Sequence, residues 1–311
     1  MVDLVLLGTG GGIPMPFRNL ASMLISYKGR KILIDCGEGT QVSMRIAKCG
    51  FKSIDVICIT HCHGDHIIGL PGLLSTMGNS GREDEVLIIG PEGINKVIEG
   101  LSVVCPYLPY NIRVIENPKS KIKFSLNNKM EEQIVNPEIE IDTISLEHST
   151  SCIGYKFNIN RKPKFDIDKA IRNNVPKILW NKLQKNENVI FEENLYTSDM
   201  VLGKERKGIS LCYITDSRPI DSIKDFINEC DLFICEGTYG DDDDLEKAVK
   251  NKHMTFREAA LLAYSGNVKN LILTHFTSAM LEPQMYIKNA NEVFENVIIG
   301  EDRMTKSINF E

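Results

Sequence analysis

Short apolar runs of three to five residues recur along the chain, and glycine, aspartate or histidine bounds them. Runs of this kind predict buried β-strands. They lie at 4–7, 31–34, 56–59, 86–89, 210–214, 232–235 and 271–273. Helix-like stretches lie between them, at 40–49, 94–102 and 256–265. This alternation of strands and helices predicts an α/β fold.

Length and composition place the chain among folded globular proteins. It has 311 residues, of which 42% are hydrophobic and 25% charged, so it can bury one large core or two smaller ones. No run approaches the ~18 apolar residues of a membrane span, and the start lacks the basic residues of a signal peptide. Nine scattered cysteines, several inside apolar runs, indicate reduced thiols. We therefore expect a cytoplasmic protein that needs no membrane.

Charge is distributed unevenly. The net charge of -6 at first argues against a polyanionic partner such as nucleic acid. Segment 156–185, however, has nine basic and two acidic residues, a local charge of +7 that leaves -13 for the rest. This segment also contains the only tryptophan, Trp180. It predicts a protruding basic insertion, with a solvated helical face as the alternative.

Three of the six histidines fall within six residues directly after the apolar run 56–59. The sequence there is His61-Cys62-His63-Gly64-Asp65-His66. Imidazole nitrogen and carboxylate oxygen are ligands that suit zinc or a similar ion. The spacing therefore predicts a metal-binding loop at the end of a strand. Cys62 alternates away from the neighbouring histidines and is interpreted as a buried thiol.

Further ligand-type residues follow other apolar runs. His148, Asp216 and His275 each stand at the end of such a run. Together with the loop they supply five histidines and two aspartates, enough for two metal ions that share a carboxylate.

The glycines at 8–12, with Asp35 further on, imitate a dinucleotide-binding fingerprint. A helix should follow those glycines, but Pro14 and Pro16 stand there instead. We therefore expect a tight turn and no nucleotide cofactor, with Arg18 facing the substrate.

Several motifs together carry a family resemblance over nearly the whole chain. They are the glycine-rich start with Arg18-Asn19, the segment Asp35-Cys36-Gly37-Glu38-Gly39-Thr40-Gln41, the histidine loop followed by Gly69-Leu70-Pro71-Gly72-Leu73, and the later elements Asp216-Ser217-Arg218, Glu236-Gly237-Thr238-Tyr239, His253-Met254-Thr255 and Leu273-Thr274-His275. The sequence resembles the metallo-β-lactamase superfamily and, within it, the ribonuclease Z family, which matures the 3′ end of transfer RNA.

The resemblance implies a fold and a set of roles. The fold is a single α/β domain over 1–311, a four-layer αββα sandwich with a tRNA-binding arm inserted at about 156–195. Two zinc ions per subunit are implied, one held by His61, His63 and His148, the other by Asp65, His66 and His275, with Asp216 bridging them. Asp65 would accept the proton of the attacking water. His253 would protonate the leaving oxygen, and Glu236 would orient His253.

His253 also has a local context that favours this role. Thr255 and Glu258, followed by apolar residues, have the spacing of a capping box at the start of a helix. His253 would then lie just before a helix N-terminus, which is a favourable position for phosphate.

The implied substrate is precursor tRNA, cleaved to leave a 3′-hydroxyl on the tRNA and a 5′-phosphate on the trailer. A homodimer is also implied, in which the arm serves the partner's active site. The candidate RNA-binding residues of the arm are Arg161, Lys162, Lys164, Lys169, Arg172, Lys177, Trp180 and Lys182.

The sequence also departs from the family pattern. The arm lacks the usual Gly-Pro pair after Val175-Pro176, and the segment after His275 lacks the usual Arg-Tyr. Two alternatives therefore remain open. One is a small-molecule metallohydrolase of the same fold, such as a cyclic-nucleotide phosphodiesterase or a thioesterase. The other is a non-enzymatic RNA-binding protein with structural zinc.

Overall fold

Two large sheets form the framework. The computed structural model describes residues 1–127, 129–132, 136–185 and 187–311. The strands are β1 Val2–Gly8, β2 Gly10–Gly11, β3 Ser22–Tyr27, β4 Arg30–Ile34, β5 Ile54–Cys58, β6 Val86–Gly90, β7 Ile112–Glu116, β8 Ile122–Asn127, β9 Lys129–Glu132, β10 Ile139–Ser145, β11 Ile153–Arg161, β12 Val189–Phe191, β13 Asn194–Tyr196, β14 Arg206–Ile214, β15 Leu232–Glu236, β16 Leu271–Thr274, β17 Phe276–Thr277, β18 Val297–Ile299 and β19 Thr305–Ile308.

Helices connect many of these strands. They are α1 Thr40–Ile46, α2 Gly64–Ile67, α3 Leu70–Asn79, α4 Ile94–Ser102, α5 Ile167–Arg172, α6 Trp180–Gln184, α7 Asp221–Phe226, α8 Leu245–Asn251, α9 Phe256–Ser265 and α10 Ile287–Asn291. The predicted helices 94–102 and 256–265 are confirmed as α4 and α9. The predicted helix 40–49 ends earlier, at Ile46, because Lys48 takes a left-handed conformation with φ 55°.

The first sheet has the order β19-β1-β3-β4-β5-β6-β7, and the second has the order β18-β16-β15-β14-β11-β10-β8-β9. In each sheet, one group of strands is parallel: β4 to β7 in the first, and β14, β15, β16 and β18 in the second. Parallel strands end at a common edge, where loops can bring side chains together.

Helices cover one face of each sheet, and the other faces meet. Leu33 and Ile57 of the first sheet share a buried core with Leu73 of α3, while Phe233 of the second sheet shares one with Ala259 of α9. Between the sheets, the Tyr155 hydroxyl of β11 lies 2.7 Å from the Ile59 carbonyl oxygen. The result is the four-layer αββα arrangement that was expected.

The chain divides into two compact units. One consists of residues 1–158 with 209–310, and the other of residues 159–208 with Glu311. The second unit contains α5, α6 and the β12–β13 hairpin. Its own small core consists of Ala170, Val175, Leu179, Leu183 and Val201. Residue 186 of the predicted arm lies outside the described residues.

Candidate metal centre

The histidine loop begins where β5 ends. Every residue of β5 is buried, so packing fixes the point at which the chain leaves the sheet. His61 and His63 follow, with His63 in extended backbone, and the short helix α2 then places Asp65 and His66 in its only turn. One pair of ligands therefore precedes the helix, and the other pair lies in it.

The first cluster contains His61, His63, His148 and Asp216, whose ligand atoms all lie within 4.8 Å of one another. His61 Nε2 is 3.0 Å from His63 Nδ1, and His148 Nε2 is 3.3 Å from the same atom. Asp216 Oδ2 lies 3.6 Å from His61 Nε2. Four donor atoms thus surround one point.

The second cluster contains Asp65, His66 and His275. The Nε2 atoms of His66 and His275 are 3.1 Å apart, and Asp65 Oδ2 lies 3.5 Å from each of them. The other oxygen of Asp216, Oδ1, lies 3.1 Å from His275 Nε2. Asp216 therefore faces both clusters, with a different oxygen towards each.

These donor sets fit two cations. Burial, together with the nearby His66, lowers the pKa of His61 to about 2, so this ring stays in the neutral form that binds metals. Burial lowers the pKa of His66, but the carboxylates of Asp216 and Asp35 together raise it by a larger amount, so the net shift is upward. The second cluster therefore favours a positive charge, which a bound cation would supply.

A layer of hydrogen bonds orients the ligand rings. The Asp35 carboxylate lies 2.8 Å from His66 Nδ1 and also accepts from the Thr60 backbone N–H. Thr238 Oγ lies 3.1 Å from His275 Nδ1, and the Lys252 carbonyl lies 3.2 Å from His148 Nδ1. Such contacts fix the ring nitrogen that faces the metal.

Asp35 is a functional residue that the sequence reasoning missed. In the sequence, Asp35 stands out only as part of a family motif and of an apparent dinucleotide-binding fingerprint. The structure places it fully buried, with φ 55°, in contact with a ligand histidine. The signal was present, because Asp35 directly follows the apolar strand β4, as the predicted ligands follow their strands.

His253 and Glu236 form a pair beside the clusters. His253 Nδ1 is 3.2 Å from Glu236 Oε1 and 4.0 Å from Asp216 Oδ2. Glu236 is fully buried and also accepts from the Ser217 and Met254 N–H groups. Burial lowers the pKa of His253, but the Glu236 carboxylate raises it more, to about 9. The contact with Glu236 therefore favours the protonated form of the ring.

The backbone around His253 is also held in place. The predicted capping box is confirmed, because Thr255 and Glu258 exchange hydrogen bonds at the start of α9. Arg218 donates to the His253 carbonyl and to Glu258 Oε2, the latter at 3.0 Å. The sequence reasoning gave Arg218 no role, although it lies only two residues after Asp216.

Two relatives match this chain from end to end. Ribonuclease Z of Clostridium beijerinckii is 60% identical over 311 residues, covering 100% of this chain and 99% of the relative. Ribonuclease Z of Clostridioides difficile is also 60% identical over 311 residues, with 100% of both chains covered. The chain belongs to the ribonuclease Z family.

A solved structure shares the fold, and a family model matches part of the chain. The crystal structure of human tRNase Z, short form, is 24% identical with a TM-score of 0.68, covering 99% of this chain and all of the other. A family model described as Anti-Pycsar protein Apyc1 also matches, over residues 2–201, and the chain falls within that family too. That match ends before Asp216, Glu236, His253 and His275, whereas the ribonuclease Z relatives include this part of the chain.

Arg18, which the sequence predicts to face the substrate, is not among the residues that line the cleft over the clusters. Its side chain is buried, and the guanidinium donates to the carbonyls of Met280 and Leu281 at 2.9 and 3.1 Å. These carbonyls need a donor because they lie in the irregular segment after His275. Arg18 thus anchors the loop from Thr9 to Asn19 against that segment.

The same glycine-rich loop contacts both sides of the second cluster. The Gly12 N–H donates to Asp65 Oδ2 at 2.6 Å. A Cβ atom on Gly11 would lie 2.3 Å from His275 Cε1. At its two ends, the loop is held by the Asp302 carboxylate, which accepts from the N–H groups of Thr9 and Asn19. The predicted tight turn forms at Gly12, where φ is 74° and the Ile13 N–H donates to the Gly11 carbonyl at 3.0 Å. The loop thus supports two ligands.

The clusters lie at the base of an open cleft of about 490 Å³. Besides the ligands and His253, its walls include Gly12, Ser149, Tyr239, Lys250, Lys252 and Thr277. Cys62 belongs to none of the ligand groups found among the described residues. It packs instead against the core of the first sheet, and burial raises its pKa to about 11.

The second unit carries most of the basic segment. Lys162, Lys164, Arg172, Lys177 and Lys182 are exposed there. Over 159–208, eleven basic and seven acidic residues give a charge of +4, because the hairpin and its flanks are acidic.

Trp180 also has a structural part in this unit. Its Nε1 donates to the Val175 carbonyl at 3.0 Å, and its ring lies 5.1 Å from that of Phe165.

Within the described ranges, no helix has the length and apolarity required to cross a bilayer.

Proposed function

We propose that this chain is a metal-dependent endoribonuclease that removes the 3′ trailer from precursor tRNA. The observation that carries the proposal is the pair of ligand clusters that Asp216 faces with both of its oxygens, with the contact between His253 and Glu236 beside them. Full-length relatives at 60% identity that are named ribonuclease Z support the same substrate.

Zinc is the metal we propose, with two ions per subunit. Five imidazoles and two carboxylates make up the donor set, and zinc accepts nitrogen and oxygen ligands of this kind. Ions bound there would provide Lewis acidity towards the phosphodiester and the attacking water.

Residues of the chain accept and donate the protons of the reaction. Asp65 accepts a proton from the water as the new P–O bond forms, and the Gly12 N–H holds one of its oxygens in position. On the opposite side, the bond from phosphorus to the ribose 3′-oxygen breaks, and His253 gives its proton to that oxygen. Glu236 stabilises the positive ring until this transfer. The tRNA keeps a 3′-hydroxyl, and the trailer keeps a 5′-phosphate.

We further propose that the second unit is the tRNA-binding arm. Its exposed lysines and arginines lie mainly between 162 and 182, and such groups bind phosphates with little dependence on sequence. The family resemblance supports a cytoplasmic homodimer in which one subunit's arm grips the precursor bound at its partner's cleft. Sedimentation velocity tests this assembly, and a monomer at working concentration would contradict it.

One assay distinguishes this function from its alternatives. Zinc-loaded protein is incubated with a precursor tRNA that has a 3′ trailer and, separately, with bis(p-nitrophenyl) phosphate. Cleavage of the precursor after the discriminator base supports the endoribonuclease. Cleavage of the small diester alone would favour a small-molecule metallohydrolase. Tight RNA binding without either reaction would favour a non-enzymatic RNA-binding protein.

A further inference from the structure

Two lysines lie on the wall of the cleft, just before His253. Lys250 is in the last turn of α8, and Lys252 directly follows this helix. Within the described part of the chain, they are the only lysine or arginine residues that line the cleft. The mechanism above gives neither side chain a role, although an RNA strand in this cleft would carry negative charge.

The backbone of Lys252 is unusual for a lysine. Its φ of 59° and ψ of 49° are left-handed, a conformation that glycine and asparagine adopt more easily. Its carbonyl contacts His148 Nδ1, but any residue would provide a carbonyl there. The Lys252 Nζ also donates to the His148 carbonyl oxygen, at 3.4 Å. A lysine ammonium has three donors, so this contact leaves N–H groups of Lys252 that can reach a ligand in the cleft.

Among the described residues, neither lysine forms a strong ion pair. Lys252 Nζ lies 3.7 Å from Glu147 Oε1, and the side chains of these residues are 41% and 52% exposed. An exposed pair of this kind is weak, so a phosphate can replace the carboxylate. Lys250 is exposed and has no ion pair among the described residues.

The position of the lysines next to His253 indicates which side of the cleaved bond they contact. In the proposed reaction, His253 protonates the 3′-oxygen that stays with the tRNA, so the last ribose of the tRNA lies on the His253 side. We propose that Lys250 and Lys252 bind the phosphate on the 5′ side of that ribose, within the acceptor strand. This inference rests on the proposed function, because the direction depends on His253 being the acid.

The experiment uses the full-length, zinc-loaded protein and two short single-stranded RNAs as inhibitors of bis(p-nitrophenyl) phosphate hydrolysis. One RNA ends in a 3′-hydroxyl and represents the tRNA side. The other begins with a 5′-phosphate and represents the trailer. The variants are Lys252→Gly and the double variant Lys250→Ala with Lys252→Gly. Because a charged hydrogen bond to phosphate is lost, we expect inhibition by the 3′-hydroxyl RNA to weaken about tenfold in the double variant. Inhibition by the 5′-phosphate RNA should weaken much less.

The matched control is Lys48→Gly. Lys48 also follows a helix in left-handed backbone, with φ 55°, but it lies outside the cleft lining. It should bind both RNAs as the unmodified protein does. Lys252→Asn, which suits the same backbone, should reproduce the effect of Lys252→Gly. Melting temperature and zinc content are measured for each variant, to identify any loss that comes from misfolding.

An equal loss for both RNAs, a larger loss for the 5′-phosphate RNA, or no loss for either would overturn the inference. The proposed function is tested separately by precursor cleavage in the unmodified protein. If that protein cleaves the precursor and the lysine variants still bind the 3′-hydroxyl RNA normally, only the lysine inference fails.

Discussion

Asp216 is the residue on which the two clusters depend together. Its Oδ2 faces His61 and His148, and its Oδ1 faces His66 and His275. Its backbone has φ 45°, a left-handed conformation that aspartate tolerates better than most residues. Asp216 thus combines a carboxylate that faces both clusters with a left-handed backbone.

We propose that His253 moves a proton and holds no metal. We expect His253→Ala to lower kcat for precursor tRNA by about 10² to 10⁴-fold, because the leaving oxygen loses its acid. The ligand atoms of Asp216, His253 and His275 also lie within 4.8 Å of one another, but His253 Nδ1 contacts Glu236 Oε1 at 3.2 Å. We therefore expect the zinc content, measured by mass spectrometry on the purified protein, to stay at the unmodified level. Zinc loss in this variant would show that His253 is a ligand and that its assignment as the acid is wrong.

At the scale of elements, the ends of parallel strands build the site. The register pairs Ile214 with Cys235 and Glu236 with Thr274, so Asp216, Glu236 and His275 emerge side by side at one edge of the second sheet. A residue type at a strand end is visible in the sequence. This is why the ligand set could be proposed before any coordinates were known.

Other parts of the site left no comparable trace in the sequence. The sequence contains Arg18 but does not show that its partners are the carbonyls of Met280 and Leu281, more than 260 positions away. A basic residue beside a predicted active site suggests substrate binding, and only tertiary packing shows that this one is buried.

Most of the strands between 112 and 161 are not predicted from the sequence, for a related reason. Their burial is mixed, so they do not form continuous apolar runs.

The glycine-rich turn gives an element-scale prediction. Gly11→Ala should displace the His275 ring, because the new Cβ would lie 2.3 Å from its Cε1. We expect the affinity for one of the two zinc ions to fall by at least about tenfold, as measured by competition with a chromogenic chelator. The control is Gly100→Ala in α4, where a Cβ meets nothing within 4 Å. That change should leave zinc binding unaltered and stabilise the fold by about 0.5–1 kcal/mol. Unchanged zinc affinity in Gly11→Ala would contradict the close packing described here.

At the scale of the whole molecule, charge is divided between two compact units. The net charge of -6 is the sum of an acidic body and a basic segment, so the total says little about the partner. Since acidic residues of the hairpin and its flanks reduce the charge of segment 159–208 to +4, its positive charge is concentrated in the part before residue 186.

The arm gives a prediction about salt. Replacing Lys162, Lys164 and Arg172 by alanine should raise KM for precursor tRNA, because phosphate contacts are lost. The dependence of log KM on log salt should become shallower by about one for each contact removed. The effect on kcat/KM for bis(p-nitrophenyl) phosphate should be much smaller. A matched triple change at Lys48, Lys52 and Lys96, in the first unit, serves as the control. Equal losses for both substrates would contradict the proposal that the arm binds tRNA.

We propose that water attacks phosphorus while the 3′-oxygen leaves with a proton from His253. Cleavage of a precursor tRNA in ¹⁸O-enriched water, followed by mass spectrometry of both products, tests this mechanism. We expect an unlabelled 3′-hydroxyl on the tRNA and one ¹⁸O in the 5′-phosphate of the trailer. A 2′,3′-cyclic phosphate or a 3′-phosphate on the tRNA would contradict it, because the ribose and not water would then have been the nucleophile, or the opposite bond would have broken.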